Sequence, residues 1–287
     1  MRFYLLALST SILTFYCAAA GYAQTEQQEY ANVVCVKTKP GKGAEWEQFV
    51  RDTYRRLLTA RANHGDYARL VLTRNVYPSG ESAECDYYLI HQYSGLRGLL
   101  DFDLFTERWR RAGMQITLAE YSARQNNLRT TVKQELWQSA ALVGTVRPGD
   151  WMRIRYRKIS TDMTEHRRSF REFNRPVREA QVREKTLRAW HAYTLSLPSG
   201  TSQPYNSAGI SIYPSFAAAQ QDPAGGSSFV GTFRQLFGKT PAEAGLPAGT
   251  VQTQIARVVD VIPVGAAGPA LSENQARPSR KKGGNNR

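Results

Sequence analysis

The chain has 287 residues, with 38 Lys and Arg against 24 Asp and Glu, a formal charge of +14 and a pI near 9.9. That length is enough for two domains that each bury a core. Beyond the N-terminal segment no apolar run approaches the ~20 residues needed to cross a bilayer, which excludes a further spanning helix.

Residues 1–23 read as a secretory signal: Arg2 gives the positive start, Leu5 to Ala20 an apolar stretch broken by Ser and Thr, and Gly21-Tyr22-Ala23 a small-x-small cleavage site. Cleavage after Ala23 predicts a secreted or periplasmic protein of about 264 residues. An exported basic chain is expected to meet anionic glycans, lipid head groups or acidic metabolites, and nucleic acid is not expected. Only Cys35 and Cys85 remain after cleavage, either bridged or as two buried thiols.

Residues 24–30 form a linker. Val33 to Val36 then make a short strand over Asn32–Lys37, stopped by Pro40-Gly41-Lys42-Gly43. Trp46, Phe49, Val50, Tyr54, Leu57 and Leu58 recur at helical spacing from Glu45 to about Asn63. Ala68–Tyr77 and Cys85–Tyr93 flank a turn beginning Pro78-Ser79-Gly80 and predict a hairpin. A helical region is expected from Leu96 to about Leu136 and a closing strand over Ala141–Val146.

The order then returns: strand Trp151–Lys158, helix Met163 to about Lys185, hairpin strands Thr186–Leu197 and Asn206–Tyr213, a loop Asp222–Ser228, helix Phe229–Phe237 and strand Ile255–Ile262. Pro78-Ser79-Gly80, Ser82, Ile90 and Tyr93 recur 120 residues later, as do Glu45, Arg51, Arg55 and Ala60. These ten identities compare with roughly three for unrelated sequence, so the chain reads as a gap-free tandem duplication. The units are expected at 31–147 and 148–265, with a basic disordered tail at 266–287.

Each unit has the order β-α-β-β-α-β, the ferredoxin-like split fold. Two such units can bring their bare sheet faces together as a pseudo-dimeric α+β barrel, giving a monomer or weak homodimer. The opening Val-x-x-x-Pro-Gly-Lys-Gly-Ala-Glu-Trp, with the long helix and a strand ending Tyr-Pro-Ser-Gly, resembles the dimeric α+β-barrel superfamily. Its members include antibiotic-biosynthesis-type monooxygenases, NIPSNAP-like and EthD-like proteins, haem-degrading enzymes and exported bacterial proteins with two such units. The resemblance covers about residues 31–264 and is specific for fold rather than chemistry. It implies a pocket between the sheet and the helices of one unit.

Polar residues on strands are the candidates for chemistry. His191 and Tyr193 share one strand face, and Tyr87, His91 and Tyr93 another. A His beside Tyr suits a base and a hydrogen-bond donor toward an enolisable or phenolic ligand, as in a cofactor-independent monooxygenase; a satisfied side chain in a barrel wall is the plainer alternative. Arg153, Arg155 and Arg157 occupy alternate positions of a central strand, where unpaired charge is costly. Either internal carboxylates such as Asp86, Asp101, Asp103 or Glu120 face them, or a small anionic or aromatic ligand does. At a spacing of 120 the first unit has Val33, Cys35 and Lys37 at these positions.

Arg51 with Arg55, and Arg171 with Arg175, lie on one side of their helices as a solvated face or, with Arg167, Arg168, Arg178, Arg183 and Lys185, a patch for an anionic envelope surface. The four His lack metal-type spacing, so no metal site is expected. No cofactor is predicted, and haem stays open through His64 or His166. No Gly-x-Ser-x-Gly elbow or complete phosphate-binding loop is present.

Overall fold

The computed structural model describes residues 29–62, 67–95, 109–110, 112–200, 202–246 and 249–263. The segment expected as a secretory signal, the expected tail, His64, Asp101 and Asp103 lie outside the described residues.

The strands are β1 (Tyr30–Thr38), β2 (Tyr67–Tyr77), β3 (Tyr87–Tyr93), β4 (Arg129–Gly144), β5 (Trp151–Arg157), β6 (Ala189–Leu197), β7 (Ser207–Tyr213) and β8 (Gln252–Pro263). All pairings are antiparallel, and they close a barrel in the order β1-β3-β2-β8-β5-β7-β6-β4. Each unit contributes four strands in the ferredoxin-like order, with β1 and β3, or β5 and β7, at its centre. β2 pairs with β8 and β4 with β6, so neither unit has a free edge.

Alternation along the strands divides the side chains between two faces. Ala31, Cys35, Tyr88, Ile90 and Trp137 of the first unit meet Met152, Ile154, Tyr156, Tyr193 and Ile210 of the second inside the barrel. This lumen is filled except for a void of about 30 Å³, room for about one water molecule. Cys35 and Cys85 are joined by a disulfide, with Cα atoms 5.5 Å apart.

The helices cover the outer faces. Helix α1 is Gly43–Phe49, a π-helical turn Val50–Tyr54 and Arg55–Ala62. Helix α3 is Met163–Ser169, a π-helical turn Phe170–Asn174 and Arg175–Arg183. The two π turns lie 120 residues apart, as do the cis bonds Tyr77–Pro78 and Leu197–Pro198. Helix α1 buries Trp46, Phe49, Val50, Leu57 and Leu58 against its sheet.

Between β3 and β4 the expectation of helix to Leu136 is corrected. Helix α2 (Leu118–Leu128) begins on a capping box of Thr117 and Glu120 and stops at Arg129, where the chain enters the 16-residue β4. The reason is tertiary: β4 pairs along one side with β1 and along the other with β6. In the second unit the place of α2 is taken by α4 (Phe216–Gln221) and α5 (Gly226–Phe237).

Candidate functional site: an arginine-lined cleft in the second unit

Strand β5 turns Met152, Ile154 and Tyr156 into the barrel, so Arg153, Arg155 and Arg157 project toward the helices. Its register with β7 pairs Ile154 with Ile210 and Arg157 with Ser207, whereas β1 pairs Val33 with Ile90 and Val36 with Tyr87. On β1 and β5 the structural offset is therefore 121 rather than 120. Because the helices start 120 residues apart, at Gly43 and Met163, residues 159–162 take the place of 38–42 and the second unit is one residue shorter between paired strand and helix. The expected counterparts Val33, Cys35 and Lys37 are thus corrected to Asn32, Val34 and Val36, because a one-residue slip exchanges the two faces of a strand.

The three arginines have different surroundings. Arg153 Nη1 donates to the carbonyls of Ala219 (3.1 Å) and Gln220 (2.9 Å) at the end of α4. Arg155 pairs with Asp222, whose carboxylate also accepts from the Tyr213 hydroxyl. Asp222 has a left-handed backbone (φ 56°) as the C-cap of α4. Gly225 closes the turn against this pair: a Cβ there would collide with the Asp222 carboxylate and lie 2.9 Å from Arg155 Nη2. The carboxylates anticipated for this row are engaged elsewhere, Asp86 with Lys37 (3.2 Å) and Glu120 in the α2 cap.

Arg157 differs from both. Among the described residues it has no carboxylate or hydrogen-bond partner, and burial lowers its pKa with nothing opposing it. It borders a cleft of about 480 Å³ between β5, α3 and α5, with Arg155, His166, Phe170, Arg178 and Phe229. Asn174, Thr240 and Thr250 add polar groups. Arg178 is buried, with Nη1 on the Ala224 carbonyl (2.7 Å) and Gln181 Oε1 (2.8 Å), and its guanidinium lies over Phe229 and Trp190.

The first unit shows what these positions hold when no cleft forms. By register and helix position, Arg155, Arg157, His166, Arg178, Ser207 and Gly209 correspond to Val34, Val36, Trp46, Leu58, Tyr87 and Leu89. The latter six pack together under α1. Across one space between sheet and helix, large apolar groups give way to three guanidiniums, an imidazole, a hydroxyl and a glycine. Burying charge in place of hydrocarbon costs stability, and fold alone does not require it.

His166 Nε2 lies 2.9 Å from the Ser207 hydroxyl and its ring 4.4 Å from Phe170, while Nδ1 is buried without a partner. Burial, then the charges of Arg157 and Arg167, push its pKa down to about 4. For His191, burial and Arg69 push it down to about 3. Both are neutral in the native state, and the unfolded chain binds their protons first, near pH 6.5. Their contribution is complete above that value and is lost as the pH falls toward 4, at about 1.4 kcal/mol per pH unit for each proton. Burial raises the pKa of Asp150 and Glu29, and these groups act in the opposite sense. Urea midpoints are expected to fall steeply between pH 7 and pH 5, and His191→Leu to remove roughly half of the slope; equal midpoints at the two pH values would contradict this assignment.

The other sequence candidates occupy two separate places. His191 and Tyr193 point into the barrel; Tyr193 accepts from Gln92 Nε2 (2.7 Å), and His191 Nε2 is buried without a partner. The 30 Å³ void touches Tyr193 but not His191. His91 and Tyr87 face α1: His91 packs 6.3 Å from Tyr54, and Tyr87 donates to Glu47 Oε1 at 2.9 Å. The two His/Tyr sets thus stand on opposite faces of the wall and form no common site. Arg51 pairs with Glu47, Arg55 with Asp260 and Arg175 with Glu179.

Among the described residues no cluster of three or more His, Cys, Asp or Glu could hold a metal. Nor does His166 suit a haem iron, since Nε2 is taken by Ser207 and Nδ1 is sealed. Sequence reading passed over Ser207 and Gly209, and noted His166 and Arg178 for other reasons. The signal was present in the repeat itself, as Trp46 against His166 and Leu89 against Gly209.

No family model matches the chain, and no curated protein matches it in sequence. Solved structures do match in fold. A protein assigned provisionally as a monooxygenase, from Fusobacterium nucleatum, is similar at TM-score 0.50 and 9% identity, over 82% of this chain and 94% of that one. A second such protein, from Lactobacillus acidophilus, matches at TM-score 0.48 and 9% identity, over 83% and 100%. An anthrone oxidase-like protein matches at TM-score 0.47 and 12% identity, over 83% and 94%. At these identities the likeness is one of fold, and this chain has that fold: paired ferredoxin-like units closing an α+β barrel.

Proposed function

We propose that this protein binds a small acidic molecule in the cleft between β5, α3 and α5 of its second unit. One observation carries the reading: a half-buried guanidinium, Arg157, with no carboxylate or hydrogen-bond partner among the described residues, in a cleft of about 480 Å³. That volume is within the range of ligand sites, about 300–1,000 Å³. Phe170 and Phe229 supply apolar walls, and Asn174, Thr240 and Thr250 polar groups to fix orientation. The Cys35–Cys85 disulfide supports export, because such bridges persist in oxidising compartments.

A catalytic alternative of the cofactor-independent monooxygenase kind would draw on His166 rather than on His91 or His191. Its imidazole borders the cleft, and to take a proton from a ligand its Nε2 would have to leave the Ser207 hydroxyl.

Native mass spectrometry of the folded protein, compared with its denatured mass, tests the binding reading. A small acidic adduct lost on denaturation is expected. A bare protein that also retains none of a mixed panel of organic acids and phosphates in equilibrium dialysis would refute it.

A further inference from the structure

We infer that a groove between α3 and β4 binds an acidic oligosaccharide through Arg167, Arg171 and Arg175. The groove has a volume of about 480 Å³ and is separate from the cleft of the proposed acid-binding role, since no residue lines both. Strand β4 lines it from Gln138 to Leu142, and α3 lines it with the three arginines and Thr164.

The duplication shows what the same place holds in the first unit. There the matching helix face is built of ion pairs: Glu47 with Arg51 (2.9 Å) and with Arg74, and Asp260 of β8 with Arg55 (3.1 Å). At the 120-residue spacing Arg51 and Arg55 return as Arg171 and Arg175, but Glu47 is replaced by Arg167. The strand beneath changes as well. β2 pairs Leu72 with Asp260 as β6 pairs Ala192 with Ala141, so Val259 and Asp260 correspond to Ala140 and Ala141. Both carboxylates of the first face are thus missing from the second, and two methyl groups stand where a Val and an Asp side chain fill the first. Arg167 Nη1 donates to neutral acceptors, Gln138 Oε1 (2.8 Å) and Thr194 Oγ1 (3.4 Å), and Arg175 is bound by Glu179 one turn on (2.8 Å). Glu29 is the one carboxylate among the residues lining the groove. Like charges four residues apart destabilise a helix, a cost that a ligand with several anionic groups would offset.

The shape of the ligand follows from the row. At a helical rise of ~1.5 Å per residue, Arg167 and Arg175 are on the order of 10 Å apart along α3. A single small anion meets part of that row, whereas a chain with anionic groups at intervals meets all of it. Gln138, Ser139 and Thr164 add an amide and two hydroxyls to the lining, groups that exchange hydrogen bonds with sugar hydroxyls. Other polyanions call for features that this lining does not have among the described residues. No aromatic ring lines it for bases to stack on. None of the exposed large apolar side chains borders it to enter a bilayer interface. The β4 backbone is already paired with β1 and β6, which leaves no edge for an acidic peptide to extend.

Isothermal titration of the folded chain with a galacturonate hexamer, its fully methyl-esterified form, the galacturonate monomer and a linear hexaphosphate tests the inference. The acidic hexamer is expected to bind about 100-fold more tightly than the monomer, because linked groups raise the effective concentration of one another, and more tightly than the hexaphosphate; the neutral ester is expected not to bind. Ala141→Asp, which gives the groove the carboxylate of the first unit, and Arg171→Gln, at an exposed position, are each expected to weaken the hexamer about 10-fold. The melting temperature of Arg171→Gln should stay that of the parent, so this variant decides the matter if Ala141→Asp does not fold. Equal binding of the ester would overturn the role of the arginine charges, and equal or tighter binding of the hexaphosphate the sugar assignment. A hexamer held by Arg171→Gln as tightly as by the parent would place it outside this groove, and a chain that binds neither hexamer nor hexaphosphate would remove the site.

Discussion

Arg157→Met is expected to raise the melting temperature and at the same time abolish binding of the acidic ligand. The native guanidinium is partly desolvated and has no carboxylate partner among the described residues, so an apolar side chain of similar length relieves a standing cost, on the order of 1–3 kcal/mol. At about 2–4 °C per kcal/mol for a chain of this size, the gain is several degrees. The same change removes the charge-assisted contact to the ligand, worth roughly 2–4 kcal/mol, or about 30- to 1,000-fold in affinity. Arg155→Met is the contrasting variant. It strands the Asp222 carboxylate and is expected to destabilise by about 3–5 kcal/mol. Calorimetry and titration on the two proteins separate the cases: a drop in melting temperature for Arg157→Met would mean that Arg157 is part of the packing rather than of a site.

The second large effect is expected from the disulfide. Replacing Cys35 and Cys85 together by Ala should cost about 4 kcal/mol, since the bridge closes a loop spanning 50 residues of sequence and removes that freedom from the unfolded chain. The melting temperature should fall by roughly 8–16 °C. The second unit has no such bridge. At the corresponding positions it carries Tyr156 and Tyr205, whose rings are 4.5 Å apart, with the Tyr205 hydroxyl donating to Glu135 Oε1 (2.8 Å) and accepting from Lys133. A scanning calorimetry trace shifted by less than about 2 °C in the Ala double variant would show that closure of the barrel already restricts this loop.

The repeat was legible because it is written in turns and helix faces. Pro78-Ser79-Gly80 and its copy mark one hairpin turn twice, and Trp46, Phe49, Val50, Leu57 and Leu58 give α1 its buried side. Alternation put Arg153, Arg155 and Arg157 on one face, and the structure has them there. The end of α2 was not legible, because the run after Leu128 is compatible with helix until β1 and β6 hydrogen-bond to it on both sides.

By itself, then, the sequence determined the two-unit α+β barrel, the order of elements along each unit and the arginine row, since periodicity and turn chemistry act over a few residues at a time. Only the tertiary structure decided what that row does. The one-residue difference between 38–42 and 159–162 exists as a register only once β1 meets β3 and β5 meets β7. Asp222 reaches Arg155 from 67 positions away, and among the described residues no carboxylate reaches Arg157. Which charges are paired depends on contacts between distant segments, and those contacts separate three arginines that alternation alone makes equivalent.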